Sequence, residues 1–143
     1  EQFEGRAGDD TINGAGGTDM VRYDSGTVGV NVNLVSNTVS DGLEAAREAG
    51  ENVGLLVDTF HMNIEDPSIA GAIRDAAPRI WHVHVADSNR RAPGAGHIDF
   101  CEVIEALKGI GYRGYVSGEM MMEPDAPAAY AALYSHLAPM IVR

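Results

Sequence analysis

Over residues 42–143 short apolar runs alternate with stripes of helical period. Leu43 to Ala49 predicts a helix stopped by Gly50. Val53-Gly-Leu-Leu-Val-Asp58 is a continuous apolar run, as in a strand covered on both faces. Asp66-Pro67 predicts a helix start running to about Ala77, since proline is tolerated in a first turn. Arg79 to Ala86 predicts the next strand, and Pro93, Gly94 and Gly96 mark a loop. Asp99 is a good N-cap, with Glu102 three residues on, close to a capping box. Phe100, Val103, Ile104 and Leu107 fall on one helical face, and Gly109 or Gly111 ends that helix. Tyr115 to Glu119 predicts a third strand. Asp125 and Pro127 open a last helix, whose Tyr130, Leu133, Tyr134 and Leu137 are expected to pack on the sheet. Strand-helix alternation implies right-handed βαβ units, a parallel sheet, and chemistry beyond the carboxyl ends of the strands.

Residues 1–41 follow another pattern. Gly5-Arg-Ala-Gly-Asp-Asp-Thr-Ile-Asn13 is followed directly by Gly14-Ala-Gly-Gly-Thr-Asp-Met-Val-Arg22, a nine-residue register. Aspartate holds the sixth position (Asp10, Asp19) and an aliphatic the eighth (Ile12, Val21). Glycines permit tight turns with exposed carbonyls, and aspartates add hard oxygen ligands. Tyr23 to Val39 reads as short strands, with Val28, Val30, Val32 and Leu34 alternating against small and polar residues. A stack of only two repeat units buries little apolar surface, so weak order is expected here.

Composition adds limits. The 143 residues suffice for one core. The formal charge of −11 is shared between residues 1–41 (−5) and 42–143 (−6). Neither part has a basic stripe, which argues against nucleic acid or an anionic membrane as partner. No apolar run reaches membrane-spanning length. The single cysteine, Cys101, cannot form an internal disulfide and is expected to be a core thiol. The chain begins at Glu1-Gln2-Phe3 without an initiator methionine, as a fragment or processed product would.

The candidate chemistry starts at Ile80-Trp-His-Val-His-Val-Ala-Asp-Ser-Asn-Arg-Arg91. Strand alternation puts His82, His84 and Ala86 on one face and Trp81, Val83 and Val85 on the other. Two histidines on an apolar strand need partners: a metal, a carboxylate, a substrate, or simply local hydrogen bonds. Asp58 and Glu119 close two other apolar runs in the same way. Side by side, the three runs would gather Asp58, His84 and Glu119 around one ion. Two carboxylates and one imidazole suit Mn²⁺, Mg²⁺ or Co²⁺, with Zn²⁺ a softer alternative. His61 and Arg90, in the loops after two of these strands, could reach a polar substrate over the metal.

Two family resemblances follow from these residues. The nonapeptides resemble the RTX (haemolysin-type) calcium-binding repeat over about residues 4–40. That resemblance implies a β-roll-like segment with Ca²⁺ between successive turns, and points to Asp10 and Asp19. Val57-Asp-Thr-Phe-His-Met-Asn-Ile-Glu65, His82-Val-His-Val-Ala-Asp-Ser-Asn-Arg90, Pro93-Gly-Ala-Gly-His-Ile-Asp-Phe100 and Gly111-Tyr-Arg-Gly-Tyr-Val-Ser-Gly-Glu119 resemble the sugar isomerase/epimerase family over about residues 42–135. These are xylose isomerase-like TIM barrels that include ketose 3-epimerases and hydroxypyruvate isomerases. This second resemblance implies an α/β fold, a partial TIM barrel of the last three strands and their helices. It implies metal ligation by Asp58, His84 and Glu119, with His82 in support. It implies substrate contacts from His61 and Arg90, and Glu119 as one of two acid/base carboxylates in proton transfer through a cis-enediolate.

The family's fourth ligand, a glutamate that is also its second base, is expected roughly thirty residues before Asp58. Tyr23 to Val30 holds no glutamate, and Asp24 sits in a turn of the other pattern. The chain thus reads as two pieces, 1–41 and 42–143, joined near Ser40 to Leu43, as a gene fusion would produce. The first expected function is a divalent-metal-dependent isomerase or epimerase of a small sugar or sugar phosphate, with little turnover from this chain alone. The alternative is an extracellular calcium-binding module with an inactive passenger. The first implies a cytoplasmic protein and the second a secreted one. Open strand edges would favour self-association.

Overall fold

The computed structural model describes residues 2–4, 20–22, 30–32 and 38–141. Three short strands come first: β1 (Gln2–Glu4), β2 (Met20–Arg22) and β3 (Val30–Val32). β1 and β2 pair in parallel, Phe3 opposite Val21. β3 belongs to a different sheet. It lies parallel to β4 (Val53–Asp58), with Val30 opposite Val53. β5 (Ile80–Val85) and β6 (Val116–Gly118) complete a four-stranded parallel sheet in the order β3-β4-β5-β6. Val30–Val32, within the alternating stretch, is a strand, and it extends the sheet of the C-terminal part by one position.

Helices α1 (Val39–Ala49), α2 (Thr59–Glu65), α3 (Ile69–Ala76), α4 (Phe100–Gly109) and α5 (Ala126–Ile141) connect and flank the strands. α1 starts at Val39, four residues before Leu43, where the sequence predicts the helix, and Val39 itself packs on the core. Thr38 and Asp41 form a reciprocal capping box there, satisfying backbone donors that an apolar stripe does not reveal. Gly50 ends it at φ 112°, a conformation that suits glycine. α3 is capped by Ser68 rather than opened by Pro67: the Ser68 hydroxyl accepts from the Gly71 N–H. α2 had no counterpart in the hydrophobic pattern, and His61 lies within it rather than in a loop.

One face of the sheet carries the core. Val53, Leu55 and Val57 of β4 and Ile80, Val83 and Val85 of β5 pack with Leu43, Ile73, Phe100, Val103, Ile104 and Leu107. The other face carries Gly54, Leu56 and Asp58, then the histidines. The register slips by one residue between Leu55 and Leu56, which pair with Ile80 and His82. Trp81 is the residue left over. Simple alternation therefore misplaces it: Ile80 joins the core, and the Trp81 ring covers Gly54. A Cβ on Gly54 would lie 2.0 Å from Trp81 Cδ2. Trp81 is the chain's one tryptophan. Gly54→Ala is expected to lift this ring into solvent, red-shift the fluorescence, and cost about 1–3 kcal/mol by overpacking. Unchanged emission and an unchanged melting temperature would count against that contact.

Two other expectations need correction. Cys101 is exposed, because the buried stripe of α4 runs through Phe100, Val103, Ile104 and Leu107 and leaves position 101 off that face. In α5, Leu137 is buried and Leu133 packs partly, but Tyr130 and Tyr134 face outward at 52% and 71% exposure. The stripe is wider than the contact available to it. No described helix is long and apolar enough to cross a membrane.

Candidate metal centre

Asp58 is the last residue of β4, His84 the second-last of β5, and Glu119 follows β6 directly. Asp58 pairs with His84 across the ladder. The Glu119 N–H continues the β5–β6 ladder by donating to the Val85 carbonyl at 3.2 Å. Adjacent strands are about 4.8 Å apart, so side chains at one level on one face converge. One ligand atom from each of Asp58, His84 and Glu119 lies within 4.8 Å of the others.

Asp58 is only 7% exposed, and burial raises its carboxyl above the usual range. The Phe60 N–H, donating to Oδ1 at 2.8 Å, and the nearby His61 partly offset this. The same bond makes Asp58 the N-cap of α2. Glu119 shows the opposite trend. Its Oε2 shares a 2.7 Å hydrogen bond with His84 Nδ1, and its Oε1 accepts from Arg90 Nη2 at 2.8 Å. The bond to His84, with that to Arg90, outweighs desolvation and holds the carboxyl below its ordinary value. His82 Nε2 meets Ser117 Oγ at 2.6 Å, and its ring stands edge-on to His84 with centroids 5.0 Å apart. Burial, then the neighbouring His84, lowers the His82 pKa. His82 thus has the local partner that His84 finds in Glu119.

The donor set suits a divalent ion: two carboxylates, one of them buried, and one imidazole, with Arg90 paired to Glu119. The sequence from Ser25 to Ser40 contains no carboxylate, so nothing on or just after β3 provides a fourth. Asp10, Asp19 and Asp24 lie outside the described residues.

Arg90 reaches Glu119 from a backbone at φ 61°, the left-handed region, which costs a non-glycine residue about 1–2 kcal/mol. Its guanidinium carbon sits 5.2 Å from the Phe60 ring centroid, within cation–π range. His61 packs edge-on against the same ring. Three contributors were not singled out from sequence. Phe60 supports both Arg90 and His61. Thr59, fully buried, ties the ends of β4 and β5 by accepting from the Ala86 N–H and donating to the Ala86 carbonyl. Asp87, also fully buried, holds the loop that carries Arg90. An acid followed within ten residues by two glycines was the available signal for Asp87.

Burial alone would push the Asp87 carboxyl up, but backbone N–H groups of Gly96, Ile98, Ser88 and Gly94 together hold it below the usual carboxylate range. A depressed folded-state pKa stabilises the fold above the unfolded value, about 3.9, and that stabilisation is lost as pH falls through the folded value. The melting temperature is therefore expected to drop below about pH 4, and Asp87→Asn to show a smaller drop in that window. Parallel pH profiles for the two proteins would remove this assignment.

The family of xylose isomerase-like TIM barrels matches residues 27–140, beginning upstream of the change in sequence pattern near residue 41. The D-psicose 3-epimerase of Ruminiclostridium cellulolyticum is 44% identical over 93 residues, 64% of this chain and 30% of the relative. The L-ribulose 3-epimerase of Mesorhizobium japonicum is 43% identical over 84 residues, 58% of this chain and 28% of the relative. Among solved structures, an L-ribulose 3-epimerase superposes with a TM-score of 0.72 at 28% identity, over 81% of this chain and 47% of the other. A D-psicose 3-epimerase crystallised in the presence of D-fructose gives 0.66 at 32%, over 76% and 46%. The chain spans about three-tenths of the length of the curated relatives it matches and under half of these solved ones. Matched over residues 27–140, well over half of its length, this chain belongs to the xylose isomerase-like TIM barrel family.

Proposed function

We propose that the strand-end cluster is part of a sugar epimerase centre, acting on a ketose at the carbon next to its carbonyl. The observation that carries this reading is the convergence of Asp58, His84 and Glu119 at the carboxyl ends of three adjacent parallel strands. They would hold a divalent ion, Mn²⁺, Mg²⁺ or Co²⁺, whose chemistry when bound is to polarise the ketose carbonyl and the neighbouring hydroxyl. Glu119 removes the proton from the carbon between them, giving a cis-enediolate, and returns it as the acid. Binding through His84 Nδ1 would release Glu119 Oε2 from its present hydrogen bond and leave that oxygen to act as base. Arg90, and His61 beside Phe60, orient the sugar oxygens above the strand ends.

Inversion needs a second acid/base on the opposite face of the carbon. One carboxylate alone can exchange the proton without inverting the centre. The 143-residue chain with Mn²⁺ in deuterated water is expected to wash deuterium into carbon 3 of D-psicose while forming little epimer. Glu119→Gln should abolish the wash-in. Incorporation no faster than in protein-free Mn²⁺ buffer would reject the reading.

For residues 1–41 the nonapeptides favour a second, separate reading, a Ca²⁺-binding repeat in a secreted protein. Calorimetry with Ca²⁺ tests it: no heat of binding, or heat unchanged by Asp10→Ala with Asp19→Ala, would end it.

A further inference from the structure

Asp87 is a buried acid that the proposed chemistry does not use. It is fully buried, and no described cation pairs with it. A buried charge of this kind is tolerable only when hydrogen-bonded. Its Oδ1 accepts from the N–H groups of Ser88 at 2.7 Å and Ile98 at 3.1 Å, and its Oδ2 from Gly94 at 2.8 Å. These donors span the whole of the loop 88–98. Two glycines leave the room required. Gly94 has φ 93°, and a Cβ on Gly96 would lie 2.3 Å from Asp87 Oδ1.

The main chain of Asp87 works on the same loop. Its carbonyl accepts from the Arg90 N–H at 2.7 Å, and its N–H donates to the Arg91 carbonyl at 2.9 Å. The Arg90 carbonyl in turn accepts from the Met121 N–H at 2.7 Å. Arg90 is thus pinned between the end of β5 and the segment after β6, in the left-handed conformation noted above.

We propose that Asp87 is the positioning residue for Arg90: by drawing the backbone of the loop 88–98 around its carboxylate, it fixes the conformation that delivers the Arg90 guanidinium to Glu119. Asparagine cannot replace it. Whichever way the amide turns, its NH₂ faces a backbone N–H, donor against donor. The functional meaning rests on the reading of Arg90 as a substrate-facing residue, but the positioning itself does not.

The test reads Arg90 directly, with neither metal nor sugar present. Side-chain ¹⁵N spectra of the intact chain contain an Arg90 guanidinium signal, assigned by its loss in Arg90→Lys. Arg79, held by the carbonyls of Ala46, Gly50 and Val53, is the internal control. In Asp87→Asn the Arg90 signal should exchange with solvent about tenfold faster, the scale of one lost charge-assisted hydrogen bond, with Arg79 unchanged. Gly96→Ala crowds the same carboxylate without altering charge and should act in the same direction. It decides the matter if Asp87→Asn does not fold. Arg90 exchange as slow as in the parent chain, in whichever of these variants folds, overturns the proposal. Because no turnover is measured, that failure is distinct from failure of the deuterium wash-in.

Discussion

His84→Ala lowers the affinity of the chain for Mn²⁺ by on the order of 100-fold or more. Loss of a residue that merely orients a ligand already costs roughly 10–100-fold, and His84 is one of only three donors that the described residues bring together. It is also the one nitrogen. Without it Asp58 and Glu119 remain as two carboxylates with no nitrogen donor in their cluster, and Glu119 Oε2 loses its partner. The substitution should cost little stability, since the imidazole is partly exposed. Calorimetry at neutral pH separates this from diffuse attraction: a net charge of −11 attracts cations anywhere on the surface. Equal Mn²⁺ affinity in parent and variant would mean that the ion binds elsewhere. That would remove the metal from the proposed chemistry.

Phe100→Ala destabilises the fold by about 3–5 kcal/mol. Phe100 is 1% exposed and is the largest fully buried side chain among the described residues. It is the first residue of α4, with Asp99 as N-cap, and packs with Val103, Ile104 and Leu107 against the strands. Its ring also meets His136 of α5 edge-on at 5.8 Å, so the cavity would open between two helices. Domains are stable by about 5–15 kcal/mol in total, so the loss is a large share. Urea unfolding should show a lower midpoint. An unchanged midpoint would mean that the neighbouring side chains collapse into the space.

The strands and the site were legible for one reason. Apolar runs ending in Asp58, in His84 with its neighbours, and in Glu119 are sequence-local, and parallel pairing aligns their ends without further information. What escaped depends on atoms far apart in sequence or on main-chain geometry. α2 escapes because its start signal, Asp58, reads as a chemical residue, while its carboxylate also caps the helix. The buried role of Asp87 depends on three N–H groups converging after the chain has turned, which no spacing rule displays. The residues of β3 read as extended, but they do not tell which strand lies beside them in the sheet. Plain alternation puts Trp81 on the wrong face because it assumes an unbroken ladder.

That break in the ladder divides β5 into two phases. Below it, Ile80 points to the helices. Above it, the count restarts, and His82 and His84 share the inner face. A strand with one phase would have to choose between burying its first residue and aiming its last. With two, the floor of the strand and its working end answer to separate constraints, and side chains at the lower end can change without rotating the histidines away from Glu119. Removing Trp81 would erase the boundary. The remaining Ile80-His82-Val83-His84-Val85 would then alternate plainly, with the isoleucine and valines toward the core, the histidines on the opposite face, and no spare residue between the two ends.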